Sequence, residues 1–304
     1  MSRTFFIVGP TATGKSELAA DVACEIGAEI VSADAFQLYR GLDLLSAKPD
    51  RSTLAKAAHH LIATVPLTEE MNAEKFRSAA TCAIGEINSR GKVAIVVGGS
   101  GLYIKTLTHG LAPLPESDPK LREKLNAMSL DELRSQLAEL DPETARKIDL
   151  KNRRRLVRVL EICLLTGKPV FAQRVPASAS HSEAARGVFA FRDREELYER
   201  INQRVEAMFR QGVLDEVRAV GPVSGTASQM IGLREIRELL DGTREFPQCI
   251  EQIQQATRQY AKRQLTWFRG QTNFAPLNLS FLTHNEAVKW ISLRILSKAG
   301  TRDD

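Results

Sequence analysis

Gly9-Pro10-Thr11-Ala12-Thr13-Gly14-Lys15-Ser16 joins two segments of opposite texture. Before it runs Phe5-Phe6-Ile7-Val8, short, apolar and suited to a buried strand. After it, Leu18, Ala19, Val22, Ala23 and Ile26 recur on one helical face, and Gly27 stands where a helix C-cap belongs. The spacing G-x-x-x-x-G-K-S between a strand and a helix is the P-loop. Glycines let main-chain N–H groups turn in around a polyanion, and the helix N-terminus adds partial positive charge. Lys15 brings a full charge on a mobile stem, and Ser16 offers a hydroxyl to a divalent cation. The chain is therefore expected to hold a di- or triphosphate, which does not by itself make the ligand a nucleotide.

Working outward, Glu29-Ile30-Val31-Ser32-Ala33 reads as a second strand that ends in Asp34. Strand ends beside a P-loop are where parallel α/β folds keep their chemistry, so Asp34 is a candidate base or metal-linked carboxylate; a helix N-cap is the equal alternative. His59-His60 has no third ligand nearby and reads as structural or substrate-shaping. Asn72 to Arg90 has the periodicity of a helix with Phe76, Ala80, Ala83, Ile84 and Ile87 inward. Val93 to Val97 is a continuous apolar run, the mark of a central parallel strand. It ends in Gly98-Gly99-Ser100-Gly101, not in the acidic residue that many P-loop ATPases use toward Mg²⁺. Ser100 offers a hydroxyl there, and the glycines are expected to let a ligand approach closely. The fold expected is α/β, a kinase-like P-loop core around a parallel sheet.

From Leu111 the texture changes. Pro113, Pro115 and Pro119 break regular structure, and helical pieces follow at Leu121–Met128, Leu130–Leu140 and Asp141–Leu150. This predicts a mainly helical insertion over residues 113–186 in a core made of 1–112 and 187–304. Lys151 opens a helix with Leu156, Val159, Leu160, Cys163 and Leu164 inward and Lys151, Arg154, Arg155 and Arg158 outward. Five basic residues in eight without an acid suit a phosphodiester backbone. Gly187 to Phe191 returns to the sheet. A helix then follows with Leu197, Ile201, Val205 and Met208 inward. Arg200 and Arg204, one turn apart on it, can close over a phosphate or pair with Glu196 and Glu199. Gln229 to Arg234 reads as the start of another helix. The last long helix, about Gln248 to Phe268, carries a stripe of Ile250, Ile253, Tyr260, Leu265 and Phe268 with a basic, aromatic outer face suited to RNA.

Lys and Arg number 42 against 37 Asp and Glu, a net charge of +5, so the distribution of charge matters more than its total. The four cysteines are far apart and read as buried thiols in a reducing compartment. No apolar run approaches the ~20 residues of a membrane span, and the chain is expected in the cytoplasm.

These pieces in this order resemble the tRNA dimethylallyltransferases. The residues that carry the likeness are Gly9 to Ser16, Asp34 to Gly41, Ala47-Lys48-Pro49, His59-His60-Leu61-Ile62, Val97 to Tyr103, Leu111 to Pro115, Arg155 to Glu161 with Thr166 to Pro169, Asp193 to Val205, Ile231-Gly232, and Thr257 to Arg269. Ser100 departs from the threonine more usual in the family but keeps the hydroxyl. Leu233 and Ile162-Cys163 also depart from commoner residues. The likeness is to the short bacterial form, without a zinc-finger extension.

The resemblance implies dimethylallyl diphosphate in the P-loop. The acceptor is the adenosine just 3′ of the anticodon, recognised on the tRNA anticodon stem-loop, and the product carries the group on N6. It implies Asp34 as base, with Thr13, Ser100 and Arg204 as its catalytic companions, and Mg²⁺ at Ser16. The diphosphate falls to Gly9, Pro10, Thr11, Ala12, Thr13, Gly14, Lys15 and Ser16. Contacts with tRNA are expected at Asp34, Ala35, Phe36, Gln37, Ser100 and Arg122, at Arg154, Arg155, Leu156, Val157 and Arg158, and at Gln229, Met230, Ile231, Gly232, Leu233 and Arg234. A monomer is expected. Two other readings use the same residues: a kinase that takes ATP in the P-loop with Asp34 as base for a hydroxyl, and a non-catalytic RNA-binding switch. The basic helix weighs against the first, and Asp34 beside the P-loop against the second. The isoprenoid donor comes entirely from the resemblance.

Overall fold

The computed structural model describes residues 3–111, 114–170 and 185–297. The expected start of the insertion, at Pro113, lies outside them. The chain divides into two compact units, Met1–Thr108 with Glu183–Asp304, and His109–Ser182.

The first unit is built on a parallel sheet of β1 (Thr4–Val8), β2 (Glu29–Ser32), β3 (His59–His60), β4 (Ala94–Gly98), β5 (Gly187–Phe191) and β6 (Ala275–Asn278), in the order β3-β2-β4-β1-β5-β6. Residues of β1 alternate between two cores. Phe5 and Ile7, with Ile30, Ile95 and Val97, pack under α1 (Lys15–Ile26) and α13 (His284–Leu296). Phe6 and Val8, with Val31, Ala94 and Val96, pack under α3 (Ala73–Ser89) and Phe268 of α12 (Phe246–Gln271). Burial on both faces is why these strands read as unbroken apolar runs. In the register Val8 pairs with both Gly98 and Phe189, and Ser32 with Val97. The loops after β1, β2, β4 and β5 therefore leave from one edge. β1 sits where strand order reverses, between β4 and β5, which is the crevice where open α/β sheets bind ligands.

The remaining helices of this unit are α2 (Arg51–Ala55), α4 (Gly101–His109), α9 (Arg194–Arg210), α10 (Val213–Arg218) and α11 (Leu233–Leu240). α9 to α11 and the start of α12 share an apolar cluster with Leu42 and Leu45. α11 begins at Leu233, not at Gln229. Gly232 caps it at φ 96°, a left-handed conformation that a side chain would strain, and Ala227–Gln229 form a separate 3-10 turn. The two histidines lie in β3. His60 Nε2 is 2.8 Å from Glu29, whose carboxylate also takes Arg90 and Lys92. Burial works against that carboxylate's charge, but these three partners hold its pKa down at about 2. The cysteines divide, Cys163 and Cys249 being buried and Cys24 and Cys82 exposed, because the latter two fall on the outer faces of α1 and α3. Among the described residues, no helix is long and apolar enough to cross a membrane.

The second unit holds α5 (Pro119–Ala127), α6 (Leu130–Leu140), α7 (Pro142–Lys147) and α8 (Arg153–Thr166). Leu125, Leu133, Leu137, Leu156, Val157 and Leu160 make its core. α8 buries Leu156, Leu160 and Cys163 as expected, but Val159 is only half-buried and Leu164 exposed, while Val157, Ile162 and the fully buried Glu161 join the inner side. The Glu161 carboxylate accepts from the Ser117 hydroxyl (2.8 Å), the Asp118 N–H (3.0 Å), Arg122 (3.0 Å) and Arg158 (2.6 Å). Burial alone would raise its pKa, but these donors hold it below the usual range. A buried carboxylate kept charged in this way ties the start of α5 to α8.

Candidate active site

The P-loop is shaped by its own sequence. Ala12 at φ 65° and Gly14 at φ 91° are left-handed, and the fully buried Thr13 hydroxyl donates to Pro10 O at 3.0 Å. A Cβ on Gly9 would lie 2.0 Å from Ala190 O, so only glycine lets the loop leave β1 against β5. Side chains from three other segments brace it. Arg192 Nε donates to Thr13 O (3.0 Å), Arg200 Nε to Ala12 O (2.9 Å), and the Thr11 N–H to Gln264 Oε1 (2.9 Å). Arg204 Nη1 donates to the Thr11 hydroxyl at 2.9 Å, while its Nε is sealed from solvent with no acceptor among the described residues. Arg200 and Arg204 thus turn to the loop. Glu196 and Glu199, their other available partners, are taken by Arg192 (2.6 Å) and Gln203 (2.6 Å).

Lys15 is buried and donates to Pro10 O at 2.9 Å. Burial brings its pKa down to about 8; the charge of Asp34 opposes the shift and that of Arg204 adds to it. An incoming polyanion would relieve both the desolvation of Lys15 and the orphaned Arg204 Nε. Ser16 stands at the start of α1 and lines the same cleft, so its hydroxyl would be one oxygen available to a divalent cation there.

Of the two parts that the sequence left open, the cap is visible in the structure, although the segment that Asp34 caps is a turn and not a helix. Its Oδ1 accepts from the N–H groups of Phe36 (2.9 Å) and Gln37 (3.3 Å). Its Oδ2 has no hydrogen bond among the described residues, and its charge reaches Lys15, Arg204 and Tyr260. The Ser100 hydroxyl accepts from the Ala35 N–H at 2.9 Å, which fixes the turn that presents Asp34. Burial, then the charge of Asp34, pushes the pKa of the Tyr260 hydroxyl up, while a hydrogen bond with Ser100 works the other way.

The glycines at the end of β4 and just after it are required by the protein's own packing. A Cβ on Gly98 would meet Ala33 O at 2.2 Å, one on Gly99 would meet Gln264 Nε2 at 2.2 Å, and one on Gly101 would meet the Trp267 ring at 2.5 Å. The buried stripe of α12 is Cys249, Ile253, Thr257, Ala261, Gln264 and Phe268, with Ile250, Tyr260 and Leu265 only part-buried. Gln264 bridges the two phosphate-side loops, from Thr11 to Gly99 O (2.8 Å). Arg192, Gln264 and Glu216 were not singled out from sequence. Glu216 accepts from the N–H groups of Leu44 and Leu45, both at 2.9 Å, and so holds the turn opposite the P-loop. A polar residue on the buried side of a long helix, as Gln264 is, was the available signal.

Two cavities meet at this loop. The larger, about 1080 Å³, is lined by the P-loop, by Arg200 and Arg204, and by the segment from Asp43 to Leu54. The smaller, about 60 Å³, is mostly apolar. Thr11 and Arg204 line both.

The residues expected to touch tRNA divide. Lys151, Arg154 and Arg155 are exposed on the second unit, but Arg122 and Arg158 are engaged by Glu161, and the side chains of Leu156 and Val157 are core. In the first unit Gln229 and Arg234 are exposed, whereas Met230, Gly232 and Leu233 are buried against Leu45 and Ile253. The buried ones offer no side chain to a nucleic acid. Phe36 lines the smaller cavity, and Gln37 joins Ser32 (3.2 Å) to Ala47 O (3.0 Å).

The family model described as IPP transferase matches residues 37–271, a span that runs from the turn after Asp34 to the end of α12. The chain belongs to the IPP transferase family. Within that family it is 44% identical over 265 residues to tRNA dimethylallyltransferase 1 of Citrifermentans bemidjiense, covering 86% of this chain and 87% of that one. It is 42% identical to the tRNA dimethylallyltransferase of Akkermansia muciniphila, over 88% and 90% of the two chains. Among solved structures it is similar to the full-length tRNA isopentenylpyrophosphate transferase of Bacillus halodurans, with a TM-score of 0.71, 31% identity and 98% of each chain covered. A eukaryotic dimethylallyltransferase acting on tRNA matches with a TM-score of 0.78 and 25% identity, over 99% of this chain and 81% of that one.

Proposed function

We propose that this IPP transferase family member moves a dimethylallyl group from dimethylallyl diphosphate to N6 of the adenosine 3′-adjacent to the anticodon in tRNA, releasing diphosphate. One observation carries the reading: the anion cradle and a small apolar cavity share Thr11 and Arg204. That pairing fits an anion with a hydrocarbon tail. The named relatives, all acting on tRNA, point the same way.

In this reading the N6 lone pair attacks C1 of the allyl group while the C1–O bond breaks and its electrons leave with the diphosphate. The N6 proton passes to Asp34 Oδ2. Lys15, the loop amides and Arg204 take up the charge that develops on the leaving group, in a site already arranged for it. Ser16 would hold Mg²⁺, which when bound neutralises further diphosphate charge. Asp34 stays in place because its Oδ1 is fixed by two N–H groups and its turn by Ser100. The adenine must swing out of its loop to reach the site, at a cost of a few kcal/mol.

The test incubates the protein and Mg²⁺ with tRNA and either labelled dimethylallyl diphosphate or γ-labelled ATP. Label on tRNA from the first donor supports the proposal; phosphoryl transfer from the second with unmodified tRNA replaces it by the kinase reading.

A further inference from the structure

Gln264 joins the two loops between which the chemistry is divided. Of the buried polar residues of α12, Thr257 donates to its own helix at Ile253 O (2.7 Å), whereas Gln264 reaches out of it. Its Oε1 accepts the Thr11 N–H at 2.9 Å, and its Nε2 donates to Gly99 O at 2.8 Å. A neutral amide suits this place, because one end must accept and the other donate. A carboxylate could serve only the first partner and an ammonium only the second. The helix that carries it is pinned on either side. Ala261 packs with Leu197 and Ile201 of α9, and Phe268 lies in the core under the sheet. Gly99 leaves room for the amide, since a Cβ there would lie 2.2 Å from Gln264 Nε2.

Each end of the amide leads to one part of the reaction. Thr11 is the residue whose hydroxyl takes Arg204, so one end holds the cradle for the departing diphosphate. Gly99 precedes Ser100, whose hydroxyl accepts the Ala35 N–H beside Asp34, so the other end holds the turn that carries the base. We propose that Gln264 is a positioning residue for the transfer: its side-chain amide sets the spacing between the anion cradle and the Asp34 turn. The proposal rests on the parts given to those two loops under the proposed function. Gln264 touches no reacting atom. The attacking nitrogen, C1 and the leaving oxygen must align with the base, and a misplacement of about 1 Å can cost about 10² in rate. The donor's diphosphate is held by one loop and the adenine by the other, so binding survives a change in their spacing and the rate does not. The Thr11 N–H, being spent on Gln264, is not one of the amides that hold the diphosphate.

Gln264→Met keeps the reach of the side chain and removes both hydrogen bonds. In dimethylallyl transfer to tRNA its kcat should fall by about 10², with KM for either substrate within about threefold of the unaltered value. The same change in an Asp34→Asn background should cost less than about tenfold, because no base is left to place. An equal loss in both backgrounds, or a loss confined to KM or to the melting temperature, overturns the proposal. Gly99→Ala attacks the bridge from its other end and should show the same split between kcat and KM. The unaltered protein gives a check that no folding defect can blur. Amide exchange at Thr11 should be slow before any ligand is added and stay slow with inorganic diphosphate bound. A Thr11 amide that exchanges freely until diphosphate arrives is held by the ligand, and that result overturns the proposal even if neither variant folds. Two other results fall on the proposed function first and take this proposal with it: no dimethylallyl transfer by the unaltered protein removes the donor, and near-normal turnover by Asp34→Asn alone removes the base.

Discussion

Arg204 reaches across from α9 to donate to the Thr11 hydroxyl at 2.9 Å, and its Nε, shut off from water, faces no acceptor among the described residues. An unpaired buried donor costs about 1–3 kcal/mol, more when the group is charged. The free protein carries that cost, and in the proposed function a bound diphosphate would remove it. Arg204→Met should therefore leave the melting temperature of the ligand-free protein unchanged or raise it. The same change should lower kcat/KM for the allylic donor by about 10²–10³, the usual loss for one preorganised donor to a developing anion. Calorimetry and single-turnover transfer measure the two halves. A lower melting temperature with intact turnover would assign Arg204 to the fold instead.

Asp34 calls for a substitution that separates its two jobs. Asn keeps an oxygen for the N–H groups of Phe36 and Gln37 but cannot accept the N6 proton, whereas Ala loses the turn as well. Asp34→Asn should reduce turnover by about 10²–10⁴ with tRNA affinity little changed. Asp34→Ala should add a loss of tRNA affinity to the loss of rate. If Asn retains near-normal turnover, the carboxylate is a turn cap and not the base.

These two residues also show what could be read from the sequence. The P-loop spacing, the apolar runs and the strand-end position of Asp34 are local signals, and the parallel sheet with its crevice at β1 follows from them. Gly98, Gly99 and Gly101 show the limit of a local signal, because a glycine reports only that something comes close. The protein atoms that do so belong to Ala33, Gln264 and Trp267, all distant in sequence. In α8 the periodicity finds Leu156, Leu160 and Cys163 but not the edge of the buried face, since it gives no reason to bury Glu161 until the donors of Ser117, Asp118 and Arg122 are folded against it. Arg192 and Glu216 carry no local pattern, and only the tertiary fold shows that they hold opposite walls of one cleft.

The depressed pKa of Lys15 gives the site a pH dependence of known sign. In the free protein its pKa is about 8, below the ordinary 10.5, first because it is buried. Between those values the unfolded chain binds more protons than the folded one, so the ligand-free protein should gain stability as pH rises through that window. Donor binding needs the charged ammonium and should move the other way. Affinity for dimethylallyl diphosphate should be flat just below pH 8 and fall above it, by up to about tenfold per unit if the full charge is required. Titration calorimetry in buffers of different ionisation enthalpy should detect proton uptake on binding above pH 8. Affinity that stays level through this range would show that the ligand does not engage the Lys15 charge.

The basic residues of the second unit make opposite predictions according to their partners. Arg154 and Arg155 are exposed and form no ion pair among the described residues, so their charge is available to a phosphate backbone. Arg122 and Arg158 are spent on Glu161, whose carboxylate is fully buried. Arg154→Ala and Arg155→Ala should each weaken tRNA binding and reduce the slope of log affinity against log salt by about 1, with the melting temperature unchanged. Arg158→Ala leaves a buried charge short of its nearest partner, at 2.6 Å, and should cost stability on the order of 3 kcal/mol. Glu161→Gln tests the same pair from the other side: it frees Arg122 and Arg158, so it should destabilise the unit while making the salt slope steeper, not shallower. If Arg158→Ala instead flattens the salt slope and leaves the melting temperature where it was, its guanidinium serves the nucleic acid and the buried carboxylate does not depend on it.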